Sequence, residues 1–359
     1  MNSIEERRRR HFRMSSEIAH LDSAGQRSLL DSGTSWRGWG RNHTVAIGED
    51  MVFVKRVPIT DREMDSFLST RNLYDLPTFY NYGVGSAGFN VFRELVANIK
   101  TTNWVLDGET ELFPLLYHYR VSPRERARES VDMARHRSYI EYWGGNENIG
   151  TYLLDRAAAN YELVLYFEHF PHVLQPYLAE NPHTFTELVR DLLAAAEFLE
   201  SKAIVHFDAH PYNVVTDGNQ AYLADFGLVL DSRFDLSNEE RGFFAAHTQY
   251  DTGLIMACSV YLLDDAYKAL SDASRMKVCS TYGIEEGADG DDLRKVLLDN
   301  LEEIYADHDL NLSQEYVRFV VKHLETIRLI RDFTGALSKN HRKDDPYPTA
   351  RLNELLASR

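Results

Sequence analysis

His206-Phe207-Asp208-Ala209-His210-Pro211-Tyr212-Asn213, followed twelve residues later by Asp225-Phe226-Gly227, is the stretch on which any reading of this 359-residue chain turns. Asp208 can orient a hydroxyl and accept its proton, while Asn213 and Asp225 carry hard oxygen donors of the kind magnesium prefers. The flanking residues say how these groups are presented. Thr184 to Glu200 carries Leu188, Leu192, Ala196 and Leu199 on one stripe, which predicts a helix, and Ile204-Val205 begins a short buried strand. Tyr212 to Val215, the turn Thr216-Asp217-Gly218-Asn219 and Gln220 to Ala224 read as a two-stranded hairpin. Helix, loop, hairpin and Asp-Phe-Gly follow one another in that order.

The spacing H-x-D-x-x-x-x-N and then D-F-G resembles the catalytic loop and metal-binding motif of the protein kinase-like superfamily, and the element order is that of the kinase carboxy-terminal lobe. The resemblance runs in order through residues 30 to 335. It implies an α+β, bilobal protein kinase-like fold, with a small antiparallel sheet lobe carrying one main helix and a larger, mainly helical lobe. An amino-terminal extension would occupy 1–25, the small lobe 26–170 with an insertion near 122–160, and the large lobe 171–359. The implied cofactors are ATP and Mg2+, with Asp208 orienting the acceptor hydroxyl and Asn213 and Asp225 binding the metal.

A nucleotide cradle is sought upstream. Gly33 to His43 is Gly-rich and feeds Thr44 to Ile47, the turn Gly48-Glu49-Asp50 and Met51 to Val57. Glycines let backbone amides approach phosphates, which makes Gly38 and Gly40 candidates, and Lys55 near the end of the second strand can reach the α and β phosphates. Arg41-Asn42-His43 stands where the family carries a third glycine. The lysine's glutamate partner is Glu94, within Val91 to Lys100, or alternatively Glu63, and Glu94 is favoured because eight residues after Lys55 leave little chain for a connection. Asp61 to Tyr74 could be helical. Tyr80 to Phe89 holds a second Gly-rich loop, the poorer candidate because no lysine follows it. Phe113 to Val121 and Glu162 to Pro171 read as strands, the latter running into a hinge. By resemblance Phe167 is the gatekeeper, with backbone groups of Glu168 and Phe170 meeting the adenine. The insertion reads as a surface helix and loop, or as a docking element.

In the other half, Tyr250 to Leu263 resembles the central helix of the large lobe, with Asp251 binding backbone amides of the catalytic loop and serving as N-cap. Helices continue from Leu293 to Ile304 and from Gln314 to Phe333. Phe207 replaces the arginine of regulated protein kinases, so control by loop phosphorylation is not expected. His210 stands where serine/threonine kinases place lysine. H-x-D-x-H-P-x-N resembles the small-molecule branch, including aminoglycoside and choline kinases, and the imidazole could contact the transferred phosphate. The segment from Asp225 to Asp251 is short and lacks Ala-Pro-Glu.

Composition narrows the classes. A hydrophobic content of 44% supports one large core or two smaller ones, and a net charge of −16 argues against nucleic-acid binding or a polybasic membrane anchor. Arg7 to Arg10 is the one basic run at the start and reads as the solvated end of a short helix, in preference to a docking or localisation signal. Cys258 and Cys279 follow no metal-ligand spacing, and no apolar run is long enough to span a bilayer. The expectation is a soluble, cytoplasmic phosphotransferase acting on serine or threonine hydroxyls of protein. The alternatives are a small-molecule kinase, which would show an acidic pocket for a cationic acceptor, and a nucleotide-binding pseudokinase scaffold.

Overall fold

The computed structural model describes residues 3–38, 40–124, 131–284 and 290–358. Two helices lead the chain, α1 (Ile4–His20) and α2 (Ser23–Asp31). Ser3 caps α1 and Glu6 returns the bond to the Ser3 amide, so the helix start is set by its own sequence. Strands β1 (Thr34–Gly38), β2 (Gly40–Ile47) and β3 (Asp50–Ile59) follow, then a short helix α3 (Asp61–Asp65) and the long α4 (Val91–Asp107). After β4 (Leu116–Pro123) come α5 (Met133–Tyr142), α6 (Glu147–Ala158) and β5 (Tyr161–Glu168). The five strands form one antiparallel sheet in the order β1-β2-β3-β5-β4.

Period-two alternation divides the faces of this sheet. Val52, Val54, Val164 and Tyr166 turn toward Met14, Ile18 and Leu30 of the two leading helices. Val57, Ile59, Leu163, Leu165 and Phe167 turn the other way, onto Val91, Phe92 and Leu95 of α4. Lys55 lies on this second face.

The helical half begins with β6 (His172–Val173), α7 (Leu174–Glu180) and α8 (Phe185–Ser201). Next come β7 (Ile204–Val205), the hairpin β8 (Val214–Thr216) and β9 (Ala221–Leu223), and β10 (Leu230–Asp231), which pairs with β7. Helices α9 (Asn238–Ala246), α10 (Tyr250–Cys258) and α11 (Val260–Ala269) precede α12 (Asp272–Tyr282), α13 (Gly290–Asp299) and α14 (Leu301–Asp307). The chain closes with α15 (Gln314–Lys322), α16 (Leu324–Lys339) and α17 (Thr349–Ala357). The architecture is α+β with small antiparallel sheets, and no described helix is long and apolar enough to cross a membrane.

Several expectations are corrected. Arg7 is not solvated: it is 2% exposed, its Nη2 donates to Glu168 Oε2 at 2.8 Å and to the Phe113 carbonyl, and its Nη1 donates to the Glu111 carbonyl. Arg10 is also engaged, pairing with Asp50 at 3.2 Å. The helix expected over 61–74 stops at Asp65, and Tyr250 to Leu263 breaks at Ser259 into α10 and α11.

The insertion is more than a surface helix and loop. Trp143, Ile149 and Tyr152 of α5, α6 and their connection form a small core with Tyr74, Leu76, Tyr80 and Phe89 from the segment ahead of α4. It also touches the far half of the molecule. His341 Nδ1 lies 3.2 Å from the Glu141 carbonyl, and Lys343 Nζ stands 3.7 Å from the centre of the Tyr142 ring.

Candidate active site

The loop 206–213 is held from beneath by one buried carboxylate. Asp251, in the first turn of α10, accepts from the amides of His206 at 2.7 Å and Phe207 at 2.9 Å. Its capping role is corrected, because Gln249 is the N-cap and Asp251 spends both oxygens on the loop. Phe207 adopts φ +65°, a left-handed conformation that costs a side chain of this size about 1–3 kcal/mol and persists only where its surroundings enforce it. Its ring is buried among Tyr82, Phe243, His247 and Tyr250. Phe207 is therefore a core anchor.

Asp208 projects from this loop. Asn213 Nδ2 donates to its Oδ2 at 2.8 Å and to its carbonyl at 3.0 Å. Burial, followed by the nearby Asp225 charge, pushes the Asp208 carboxyl up to about 7. His210 Nε2 stands 3.4 Å from Asp208 Oδ1, while its Nδ1 accepts from the Tyr212 amide. Burial lowers the His210 pKa, so the ring is neutral with its proton on Nε2, directed at Asp208.

Lys55 crosses from the sheet to meet this group. Its ammonium is 2.6 Å from Glu94 Oε1 and 2.7 Å from Asp225 Oδ1. Burial works against the ammonium, but Asp225 and then Glu94 outweigh it and the Lys55 pKa is raised. The Asp225 pKa is lowered, because Lys55 overcomes the cost of burial. Glu63 goes elsewhere: it completes a capping box with Thr60 and accepts from the Val91 amide at the start of α4.

Among the described residues no three His, Cys, Asp or Glu side chains form a cage for a metal. The donors present suit Mg2+, which keeps several waters and takes one or two protein oxygens plus phosphate. Because the Asn213 amide nitrogen is committed to Asp208, its Oδ1 is left as a metal donor, and the Asp225 carboxylate is the second donor the sequence offered.

The residues expected to meet nucleotide are less uniform in their placement. Gly38 and Gly40 face each other across the hairpin, and the residue between them lies outside the described residues. Phe167 packs into the α4-facing cluster with its ring 6.4 Å from Phe53. Glu168 is largely spent, its amide on the Leu115 carbonyl at 2.9 Å and its carboxylate on Arg7, which limits what it can offer a base to its carbonyl. The Phe170 ring stacks near Tyr222 at 4.2 Å.

Two features escaped sequence reasoning. Arg93, 1% exposed, pairs with Glu240 of α9 at 2.7 Å, which ties α4 to the segment after Asp225 without a phosphate. The Gly-rich segment before α4 lies against the 206–213 loop: a Cβ placed on Gly83 would stand 2.0 Å from Asp208 Oδ1. Its glycine pattern is visible in the sequence, where the lack of a following lysine makes it the poorer phosphate loop. Beside it lies a cavity of about 330 Å³ lined by Gly83, His210, Tyr212, Tyr261, Asp264 and Arg294 among others.

No protein-family model matches the chain. Part of it is similar to cyclin-dependent kinase 4, at 40% identity over 74 residues with the Xenopus laevis protein, 19% of this chain and 23% of that one. The Ovis aries protein is 39% identical over 74 residues, and the Mus musculus protein 36% over 80. The chain spans about a quarter of the length of these curated relatives. That local similarity is to a kinase, in keeping with the α+β architecture.

Proposed function

We propose that the protein is a Mg-ATP-dependent phosphotransferase acting on an alcohol group, with a serine or threonine hydroxyl of a polypeptide as acceptor. The observation that carries the reading is the meeting of Lys55, Glu94 and Asp225 within 2.7 Å, beside an Asp208 that Asn213 holds in place. Mg2+, held by Asn213 Oδ1 and Asp225, would neutralise phosphate charge when bound. Glu94 keeps the Lys55 ammonium at the position where it can meet nucleotide phosphates. Asp208, as carboxylate, takes the hydrogen bond of the acceptor hydroxyl and receives its proton. The His210 Nε2 proton fixes the orientation of Asp208 Oδ1. The presence of these residues together speaks against the pseudokinase reading.

A small-molecule acceptor is the second reading, favoured by the cavity next to His210. Its acidic lining is partly neutralised, since Asp264 pairs with Arg294 at 2.6 Å, so a cation has less claim on it than a polar molecule carrying both charges. Purified protein incubated with radiolabelled Mg-ATP beside Asp225→Ala tests the activity. Label on polypeptide, absent in the variant, supports protein phosphorylation; label in small products moves the acceptor to the second class. Absence of metal-dependent turnover would remove the phosphotransferase.

A further inference from the structure

We infer that Gly83-Val84-Gly85-Ser86-Ala87-Gly88, together with Arg156 of the insertion, forms an anion site that grips the terminal phosphate of the nucleotide. The inference rests on the phosphotransferase reading and deepens it. The segment has the spacing G-x-G-x-x-G, and each end abuts the catalytic groups. Gly83 lies so close to Asp208 that any side chain there would collide with it. At the other end the Phe89 amide donates to the Gly227 carbonyl at 3.3 Å, and a Cβ on Gly88 would stand 3.2 Å from the same oxygen. The six residues thus run from Asp208 to the Asp-Phe-Gly turn, over the ground where a phosphoryl group would be transferred.

The polar groups of the segment are arranged for an anion. Tyr142 Oη donates to the Val84 carbonyl and Tyr139 Oη to the Gly85 carbonyl, both at 2.8 Å, so two carbonyls are occupied by hydroxyls of α5. The Val84 and Ala87 amides are taken by Tyr82 and Tyr80. Among the described residues the amides of Gly83, Gly85, Ser86 and Gly88 have no acceptor, and the buried Ser86 hydroxyl has no partner. Glycines at φ +106° and +94° give Gly85 and Gly88 a backbone path that other residues resist. The start of α4 is not the site, because Glu63 and Asn90 already accept from its first amides.

Arg156 supplies the charge. Its Nη1 donates to Tyr152 Oη at 2.8 Å and would lie 3.7 Å from a Cβ on Gly88, and Glu94 feels its charge. An arginine beside free amides is a pairing suited to phosphate. The insertion then has a role within the catalytic centre, since its tyrosines hold the loop and its arginine faces the anion.

Calorimetry on the full chain with Mg2+ tests this, using a non-hydrolysable ATP analogue and ADP as separate ligands. Wild type is expected to prefer the triphosphate. Arg156→Gln should weaken triphosphate binding about tenfold and ADP binding less than about twofold, the loss of one charge-assisted contact. Ser86→Ala, which alters no packing volume of consequence, should reduce the same preference about threefold. If Arg156→Gln fails to fold, Ser86→Ala decides alone. Unchanged preference in the folded variants, or equal losses for both nucleotides, overturns the loop assignment and leaves the phosphotransferase standing. A wild type that binds neither nucleotide overturns both.

Discussion

Asp251→Ala removes the acceptor on which the catalytic loop rests, and the cost follows from the geometry. The wild-type carboxylate, 4% exposed at the residue level, takes two buried amides at 2.7 and 2.9 Å. Alanine leaves both donors dry and unpaired, at about 1–3 kcal/mol each, for a total near 4 kcal/mol. Asp251→Asn retains one acceptor oxygen and turns an NH2 toward the second donor, so about half of that loss is expected. Urea unfolding monitored by circular dichroism gives both values from the shift in midpoint at constant slope. Turnover should fall further than stability alone explains, because Phe207 at φ +65° no longer has its enforcing contact and Asp208 is one residue away. A loss below about 0.5 kcal/mol for alanine, the size of an ordinary surface substitution, would refute the claim that this carboxylate shapes the loop.

Other outcomes follow from the same coordinates. Asp208, raised to about 7, should give turnover a rising limb centred near that pH, with rate falling tenfold per unit below it; Asn213→Ala removes a hydrogen bond to the carboxylate and should move the limb upward. Because its folded pKa exceeds the unfolded one, the stability that protonated Asp208 contributes is full below about pH 4 and is lost as pH rises through 7, so Asp208→Asn should flatten stability across that window in chemical denaturation. Arg7→Ala strands the buried Glu168 charge and should cost about 3–5 kcal/mol in urea, whereas Arg9→Ala on the exposed side should cost less than about 0.5 kcal/mol. Gly83→Ala should fold normally by thermal melting yet lose most phosphotransfer, since its Cβ displaces Asp208.

The parts of this structure that were legible in the sequence are those built from neighbours in the chain. Asp208, Asn213 and Asp225 lie within eighteen residues, and the hairpin between them has a turn that announces itself. Val-Phe-Val-Lys reads as a strand because its alternation matches a two-faced sheet, and Glu94 was reachable because α4 has clear helical spacing. What stayed hidden depends on distant contacts. Arg7 looks like part of a solvated basic run until Glu168, 161 residues on, is folded against it. The helix forecast over 61–74 stops at Asp65, and Glu63 inside it reaches on to the Val91 amide at the start of α4, a contact between distant residues that no local pattern reports. The glycines at 83–88 rank second in the sequence because no lysine follows them, and only the tertiary fold reveals their proximity to Asp208.

The insertion has one more consequence, for the rate at which ligands come and go. The sheet half and the helical half are joined by the single crossing at 168–173, but α5 also reaches His341 and Lys343, and Arg93 reaches Glu240. A cleft fastened on two sides cannot gape by swinging about one crossing. Under the proposed function, product escape would require the second fastening to be released first, and the dwell time of spent nucleotide, rather than the chemical step, would be the quantity that residues 131–160 govern.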